Sequence, residues 1–392
     1  MDVAGDEPDG IRSWTVAIVS AAAMIFTFGT TFSYGVFLRP FSDTFAVPVV
    51  VLSTVFSVML FTFFIGSGIV GILVARLRIR SVVVGCGIAT GLVAPSLYVV
   101  DSYVELAAVF AVVGLSLGTM YVALAAVVPS WFREYQGTAT GIIFAGNGLG
   151  LFILPPLWQV AISWLGVRQA FLTIMGLTSA VFLVAGAVCR RPGWSEPPRA
   201  TTGRLVEWIL ELARSRRFRL LFVGIGLSLG WYMMLATYAI DLFAERGLTE
   251  TSASLAFGMV GGFSIVSRLG SGFVADRAGF RRTFLTSVGL AASGIALLFG
   301  MSLPVLAVAV FLTGTGLGGI ATMYIPLLLE TYGKENDTAV IGLFNVAIGV
   351  VALIVPTAGT TAIAYTGSYR IGVLLTFSML ICALLTVAAG SR

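Results

Sequence analysis

The sequence predicts an all-α membrane protein: twelve transmembrane helices in two pseudo-symmetric six-helix bundles. Three observations carry that expectation. Long apolar runs recur along all 392 residues, positive charge is confined almost wholly to alternate loops, and the two halves of the chain repeat one another. The chain is 58% hydrophobic and 10% charged, against about 25% charged in soluble domains. A soluble globule has no way to bury that much apolar surface, whereas helices that satisfy their own backbone can present it to lipid.

Apolar runs between charged or Gly/Pro breaks place the spans at 14–38, 49–75, 80–100, 104–132, 137–162, 168–189, 218–242, 251–274, 282–300, 303–330, 338–362 and 369–389. They divide the chain into an N-terminal half, 1–189, a polar and proline-bearing linker, 190–217, and a C-terminal half, 218–392. Within the linker, Thr202–Arg216 reads as a short amphipathic helix on the membrane surface. With the N-terminus inside, the even-numbered loops and both tails hold eighteen of the 23 basic residues. The opposite side holds Arg39, Arg168, Arg246 and Arg370. The positive-inside rule therefore predicts cytoplasmic termini in a cell membrane, and it accounts for the net charge of +5 without a nucleic-acid partner. MDVAGDEPDGIRSW is acidic and leads straight into a span, so no cleavable signal is expected.

The repeat has a register of 201 residues. Gly29 and Gly230, Gly71 and Gly272, Gly118 and Gly319, Gly141 and Gly342, Gly148 and Gly349, Pro155 and Pro356, and Gly166 and Gly367 all stand at that offset. Parallel halves joined by a long linker describe a carrier with its site between the halves near the bilayer midplane.

The remaining basic residue, Arg268, lies in AFGMVGGFSIVSRLGSGFVADRAG, eight residues before Asp276. At 1.5 Å per residue that is about 12 Å inside the end of a helix, close to the middle of a hydrocarbon layer about 30 Å thick. A charge there is costly and marks a pathway, a ligand or a partner charge. Arginine stays protonated, and its planar fork matches a carboxylate. A single cation favours a monocarboxylate, because a second carboxylate would lack a partner. The alternative is a guanidinium satisfied by helix-end carbonyls or water. No histidine is present, which removes the usual proton shuttle and the commonest metal ligand. Cys86, Cys189 and Cys382 lack ligand spacing. No metal or cofactor is expected, and neither a nucleophile–base pair nor an Asp pair within the spans supports an enzyme.

Several motifs narrow the family. Gly272-Phe-Val-Ala-Asp276-Arg277-Ala-Gly279-Phe-Arg281-Arg282 resembles the signature loop of the major facilitator superfamily. That resemblance implies a gating latch, with Asp276 capping a neighbouring helix and pairing with arginines. The alternative is that these charges only set topology. The first-half equivalent keeps Gly71 and Arg76 but has Ala75 where the acid belongs. Asp9-Gly10 and Trp14, with Ser33-Tyr-Gly-Val-Phe37, and the run Trp131-Phe-Arg-Glu-Tyr-Gln-Gly137-Thr-Ala-Thr-Gly141-Ile-Ile-Phe-Ala145-Gly146 resemble the paired signatures of the monocarboxylate transporter family, relatives of the oxalate–formate exchangers. Arg268 falls where that family places its substrate arginine. The chain departs from its relatives with Phe32 in place of a first-span lysine, Ser264 in place of an aspartate one turn before the arginine, and no charge from Ala339 to Thr360.

These readings converge on a secondary carrier that moves a small monocarboxylate with a proton by alternating access. Anion exchange without protons stands as the alternative, and a membrane receptor or intramembrane enzyme as the reading from another class. The need for an accessory subunit is left open. Asp241 is the candidate proton site, expected beside Arg268; the alternative is a loop acid with Glu245 and Glu250. Tyr34, Tyr121, Asn147, Tyr238, Ser264, Ser267, Tyr324 and Asn345 are candidate polar lining. Asn147, in Ala-Gly-Asn-Gly, also fits helix packing. Phe28 and Phe32 would make one wall apolar.

Overall fold

A computed structural model describes residues 7–73, 78–193, 211–300, 302–332 and 337–391. Thirteen long helices are described, and they account for all twelve expected spans. They are α1 (Ile11–Phe32), α2 (Tyr34–Phe45), α3 (Val49–Leu73), α4 (Ile79–Val93), α5 (Tyr103–Val127), α6 (Gln136–Leu165) and α7 (Val167–Val188) in the first half. The second half has α8 (Arg216–Ala244), α9 (Glu250–Ala278), α10 (Phe280–Leu297), α11 (Leu303–Tyr332), α12 (Asp337–Thr366) and α13 (Tyr369–Gly390). Eleven described helices are long and apolar enough to cross a membrane on their own. The twelfth span, α10, has 18 residues and opens on Arg281 and Arg282.

The extra helix arises because the first span is broken rather than continuous. Ser33 sits between α1 and α2 with ψ near 1°, and its hydroxyl donates to the Gly29 carbonyl. Such back-bonding by serine slightly destabilises a helix and often bends it. Beyond Ser33, α2, with Arg39 and Pro40, packs against α3 and against α8 of the other half. Of the expected linker helix, Glu211–Arg214 is helical, Ser215 is a bend and Arg216 begins α8, while 202–210 lie outside the described residues.

Packing reproduces the repeat. In the first half α1 lies on α6, α3 on α5, and α4 on α7; in the second α8 lies on α12, α9 on α11, and α10 on α13. Each pair of the first set maps onto its counterpart in the second. The halves meet along α3 with α12 and α6 with α9, again symmetry-equivalent seams. With lipid as the solvent, close packing and polar contacts hold such seams together. On the first seam the Ser53 and Thr360 hydroxyls are 2.5 Å apart, those of Ser57 and Thr357 3.0 Å, and Asn345 Nδ2 donates to Ser67 Oγ at 3.4 Å. The repeated pair Gly166 and Gly367 has a backbone reason: φ is +74° and +65°, at the same turn of each half. Only glycine adopts that conformation without strain.

Candidate functional site

The core of the site is a chamber between the halves. It measures about 60 Å³ and is lined from the first half by Phe28, Phe32, Phe64, Tyr121, Asn147 and Leu151, and from the second by Leu229, Tyr232, Met233, Arg268, Leu317, Ala321, Tyr324 and Ile348. The 201-residue register holds here too. Phe28 and Leu229, Phe32 and Met233, and Asn147 and Ile348 are equivalent positions facing the same space. Most of the wall is apolar. The aromatic side chains brace one another: Phe28 lies 5.3 Å from Tyr121, Phe32 5.2 Å from Tyr232, and Tyr232 stacks on Phe257 at 5.7 Å.

Arg268 is the cation of this chamber. It is 9% exposed, its Nε has no hydrogen-bond partner, and no described carboxylate pairs with it. Its electrostatic neighbours are the phenols of Tyr121, Tyr232 and Tyr324. Two further buried polar atoms in the lining are likewise unpartnered, Asn147 Oδ1 and the Tyr232 hydroxyl. Buried polar groups are normally satisfied, so three orphans around one space leave an unmet demand for polar partners there. Tyr232 was not among the expected residues. Its signal was present as helical spacing, since Leu229, Tyr232 and Met233 share one face of α8.

The other expected residues are distributed around the chamber. Phe28, Phe32, Tyr121, Asn147 and Tyr324 line it with Arg268. Tyr34 does not: its hydroxyl donates to the Leu52 carbonyl at 2.9 Å and its ring stacks on Phe56. Tyr238 is hydrogen-bonded to Thr376 at 2.8 Å, outside the chamber lining. Ser264 donates to the Gly261 carbonyl within α9 and Ser267 to the Thr315 carbonyl of α11, and neither is among the chamber's lining residues. Asn345 lines a second cavity of about 250 Å³ with Ser67, Phe144 and Ile341. Tyr121 and Tyr324 border both spaces and stand between the chamber and the linker side of the molecule.

Asp241 requires a correction. The expected position beside Arg268 is not where it lies, nor is it a loop acid. It sits one turn before the end of α8, and its Oδ1 is 2.6 Å from Arg39 Nε on α2. Tyr369 and Glu250 are its further neighbours. The pair joins the two halves on the side opposite the linker. The helices meet there because Gly35 faces the Ala236 carbonyl, which any Cβ would overlap. Nearby, Gln159 Nε2 on α6 donates to Glu250 on α9 at 3.0 Å. This face is closed by contacts between the halves.

The linker side is organised differently. Asp276 and Arg277 are exposed at the end of α9, and the Arg277 guanidinium folds over the Phe273 ring at 3.7 Å. Asp276 makes no ion pair with a described residue, so the expected latch is not seen among the described residues. Gly272 has open space around it. Gly71 lies in the last turn of α3, and Arg76 lies outside the described residues. The two signature stretches, remote in sequence, dock together. The Asp9 carboxylate accepts from the backbone N–H groups of Arg133, Glu134 and Tyr135 at 3.2–3.3 Å. Trp14 packs edge-on against Phe132 at 5.0 Å. Desolvation works against the Asp9 charge, but those hydrogen bonds and the Arg133 charge hold its carboxyl below its ordinary value.

Comparison with known proteins agrees with this architecture. A family model described as Major Facilitator Superfamily matches residues 19–243 and 220–390. The chain is 26% identical over 289 residues to an MFS-type transporter, pytF, of Aspergillus terreus, covering 71% of this chain and 94% of that one. It is 22% identical to monocarboxylate transporter 4 of Mus musculus over 98% of this chain and 84% of the relative. Among solved structures, the nucleoside transporter NupG superposes with a TM-score of 0.78 at 10% identity, covering 97% of this chain and 100% of the other. At that identity the likeness shows the fold alone.

Proposed function

The chain belongs to the Major Facilitator Superfamily, as a membrane transporter rather than an enzyme, and we propose that it carries short-chain monocarboxylate anions by alternating access. One observation carries the substrate class: a buried guanidinium without a counter-charge among the described residues, lining a mostly apolar chamber between the halves. A permanent cation in that setting has a large unmet demand for an anion. One cation matches one carboxylate, and the aromatic and aliphatic walls suit its hydrocarbon part. The resemblance of the sequence to monocarboxylate transporters, and the likeness to one of them along almost the whole chain, support the same class. The linker and both termini face the cytoplasm of the cell membrane in this reading, because the basic loops lie on that side.

Coupling to protons enters through Asp241. Its carboxylate closes the outer face by pairing with Arg39; a proton on Asp241 removes that attraction and favours the outward-open state. Exchange without protons is the second reading, and it is favoured by the lack of an acid among the chamber residues. Proteoliposomes separate the two. Uptake of labelled butanoate is measured with and without an inward-acid gradient, and proton flux is followed in parallel. Symport predicts acceleration with a matching proton flux. Acceleration without proton flux, or none at all, assigns exchange. Full uptake by Arg268→Gln would remove the anion-site assignment.

A further inference from the structure

Away from the chamber, on the linker side, basic residues gather at one helix end. Where the chain enters the second half, α8 opens on Arg216-Arg217-Phe218-Arg219, beside the last turn of α13. Gly390 permits that approach, since a Cβ there would stand 2.9 Å from Leu221 Cγ. Between the two helices runs an open groove of about 380 Å³, lined by Arg216, Arg217 and Leu220 of α8 and by Ala389 and Gly390 of α13. Arg217 Nε donates to the Gly390 carbonyl at 3.0 Å. Arg281 of α10 donates through Nη2 to the Ala388 carbonyl at 3.0 Å and through Nε to the Ser391 hydroxyl at 2.8 Å. Guanidiniums from α8 and α10 thus meet at the end of α13, whose terminal carbonyls occupy only part of them. Arg216 makes no side-chain hydrogen bond with a described residue, and neither it nor Arg217 forms an ion pair with one.

We propose that this groove binds the phosphodiester headgroup of an anionic phospholipid from the leaflet on the linker side, with Arg216 and Arg217 contacting the phosphate. The inference is independent of which solute the chamber carries. Charge complementarity names the ligand class: a guanidinium matches two phosphate oxygens at once, and the first turn of a 29-residue helix adds a field of the same sign. What commits the groove to a lipid is its apolar continuation. Leu220 and Val223 follow Arg216 along one face of α8, and Leu385 precedes Ala389 by one turn of α13. Val223 is 49% and Leu385 63% exposed, so a headgroup held by the arginines lays its acyl chains along these side chains. A soluble phosphate would use the arginines and leave that strip untouched. Topology alone does not call for this grouping, because sidedness depends on how many charges a loop carries and not on two of them lining one groove. The bound lipid would tie the first helix of the second half to its last, at the point where the linker enters.

The test uses the full-length protein in detergent, with lipid binding followed by native mass spectrometry. Its probes are dioleoylphosphatidylglycerol, dioleoylphosphatidylcholine and inorganic phosphate. The wild type is expected to retain one phosphatidylglycerol about tenfold more tightly than phosphatidylcholine. Each arginine near a membrane surface contributes about fivefold. Arg216→Gln is therefore expected to weaken phosphatidylglycerol about fivefold, and Arg216→Gln with Arg217→Gln about thirtyfold. Arg80→Gln, which removes an exposed basic residue at the linker-side end of α4, should change nothing. Arg216→Gln breaks no contact with a described residue, so it decides alone if the double variant does not fold. Equal retention of the two lipids by the wild type overturns the proposal. So does a loss in Arg80→Gln as large as in Arg216→Gln, which would reduce the effect to the general field of the basic face. Displacement of phosphatidylglycerol by an equal concentration of inorganic phosphate would assign the groove to a soluble anion and reject the lipid. None of these outcomes bears on Arg268, so the transport reading stands or falls separately.

Discussion

Arg268 is tolerated in the middle of a membrane helix because it faces the seam between the halves, ringed by phenols instead of lipid. Its demand for an anion gives the sharpest expectation at this scale. Arg268→Gln is expected to lower kcat/KM for monocarboxylate uptake by about 100-fold, since a charged bidentate contact contributes about 3 kcal/mol. Arg268→Lys keeps the charge but loses the planar fork, and is expected to fall between the two. Uptake kinetics at fixed protein orientation check both. Tyr232→Phe removes one unpartnered hydroxyl and is expected to lower kcat/KM about fivefold while the ring stays stacked on Phe257. Asp9 answers a different question. Its carboxyl is held below its ordinary value, so the clamp it makes is complete above the carboxylate range and is lost only as pH falls through the lowered value. Between pH 5 and 8 it does not titrate. Asp9→Asn is therefore expected to weaken the docking of the N-terminal turn, seen as faster proteolysis there, with no change in the pH profile of uptake.

Among the elements, the broken first span is decisive. Ser33 ends α1 and lets α2 swing toward α8, and Gly35 allows the backbones to meet. Arg39 and Asp241 then pair across the halves. If this pair latches the face opposite the linker, Arg39→Asp and Asp241→Arg should each leave that face open more of the time, and the double exchange should restore closure. Labelling of a single cysteine near Phe28 from that side reads it out. Equal labelling in all four proteins would show that the pair does not hold the face shut. At Gly35, a valine is expected to block closure regardless of charge, because its Cβ meets the Ala236 carbonyl.

For the whole molecule, alternating access requires the halves to separate along α3 and α12. The Ser57 and Thr357 hydroxyls, 3.0 Å apart, mark where a covalent tie would prevent it. A Ser57→Cys, Thr357→Cys variant is expected to lose uptake on oxidation and regain it on reduction. Unimpaired uptake by the oxidised, cross-linked protein would show that this seam does not open during transport. The Arg39–Asp241 pair joins the halves on one face, and a second cavity bordered by Tyr121 and Tyr324 lies on the linker side.

The chain by itself determined the span count, the two-half architecture and the singular position of Arg268. Each follows from local properties: apolar length, the sidedness of charge, the 201-residue register, and the cost of a charge in an apolar helix. Gly166 and Gly367 were legible as a repeat because both turns need the same backbone conformation. What the tertiary structure decided concerns side chains that compete for partners across helices. Tyr34, Tyr238, Ser264 and Ser267 looked equally eligible as polar residues within spans, but each found a carbonyl or hydroxyl nearby and left the chamber to others. Asp241 met Arg39 because of a bend at Ser33 that apolar periodicity does not encode. Asn147 and Tyr232 kept unpartnered atoms facing Arg268, and that is visible only when the halves are together. Sequence sets which groups a helix can offer; the packing of one helix against another sets which of them remain free to bind.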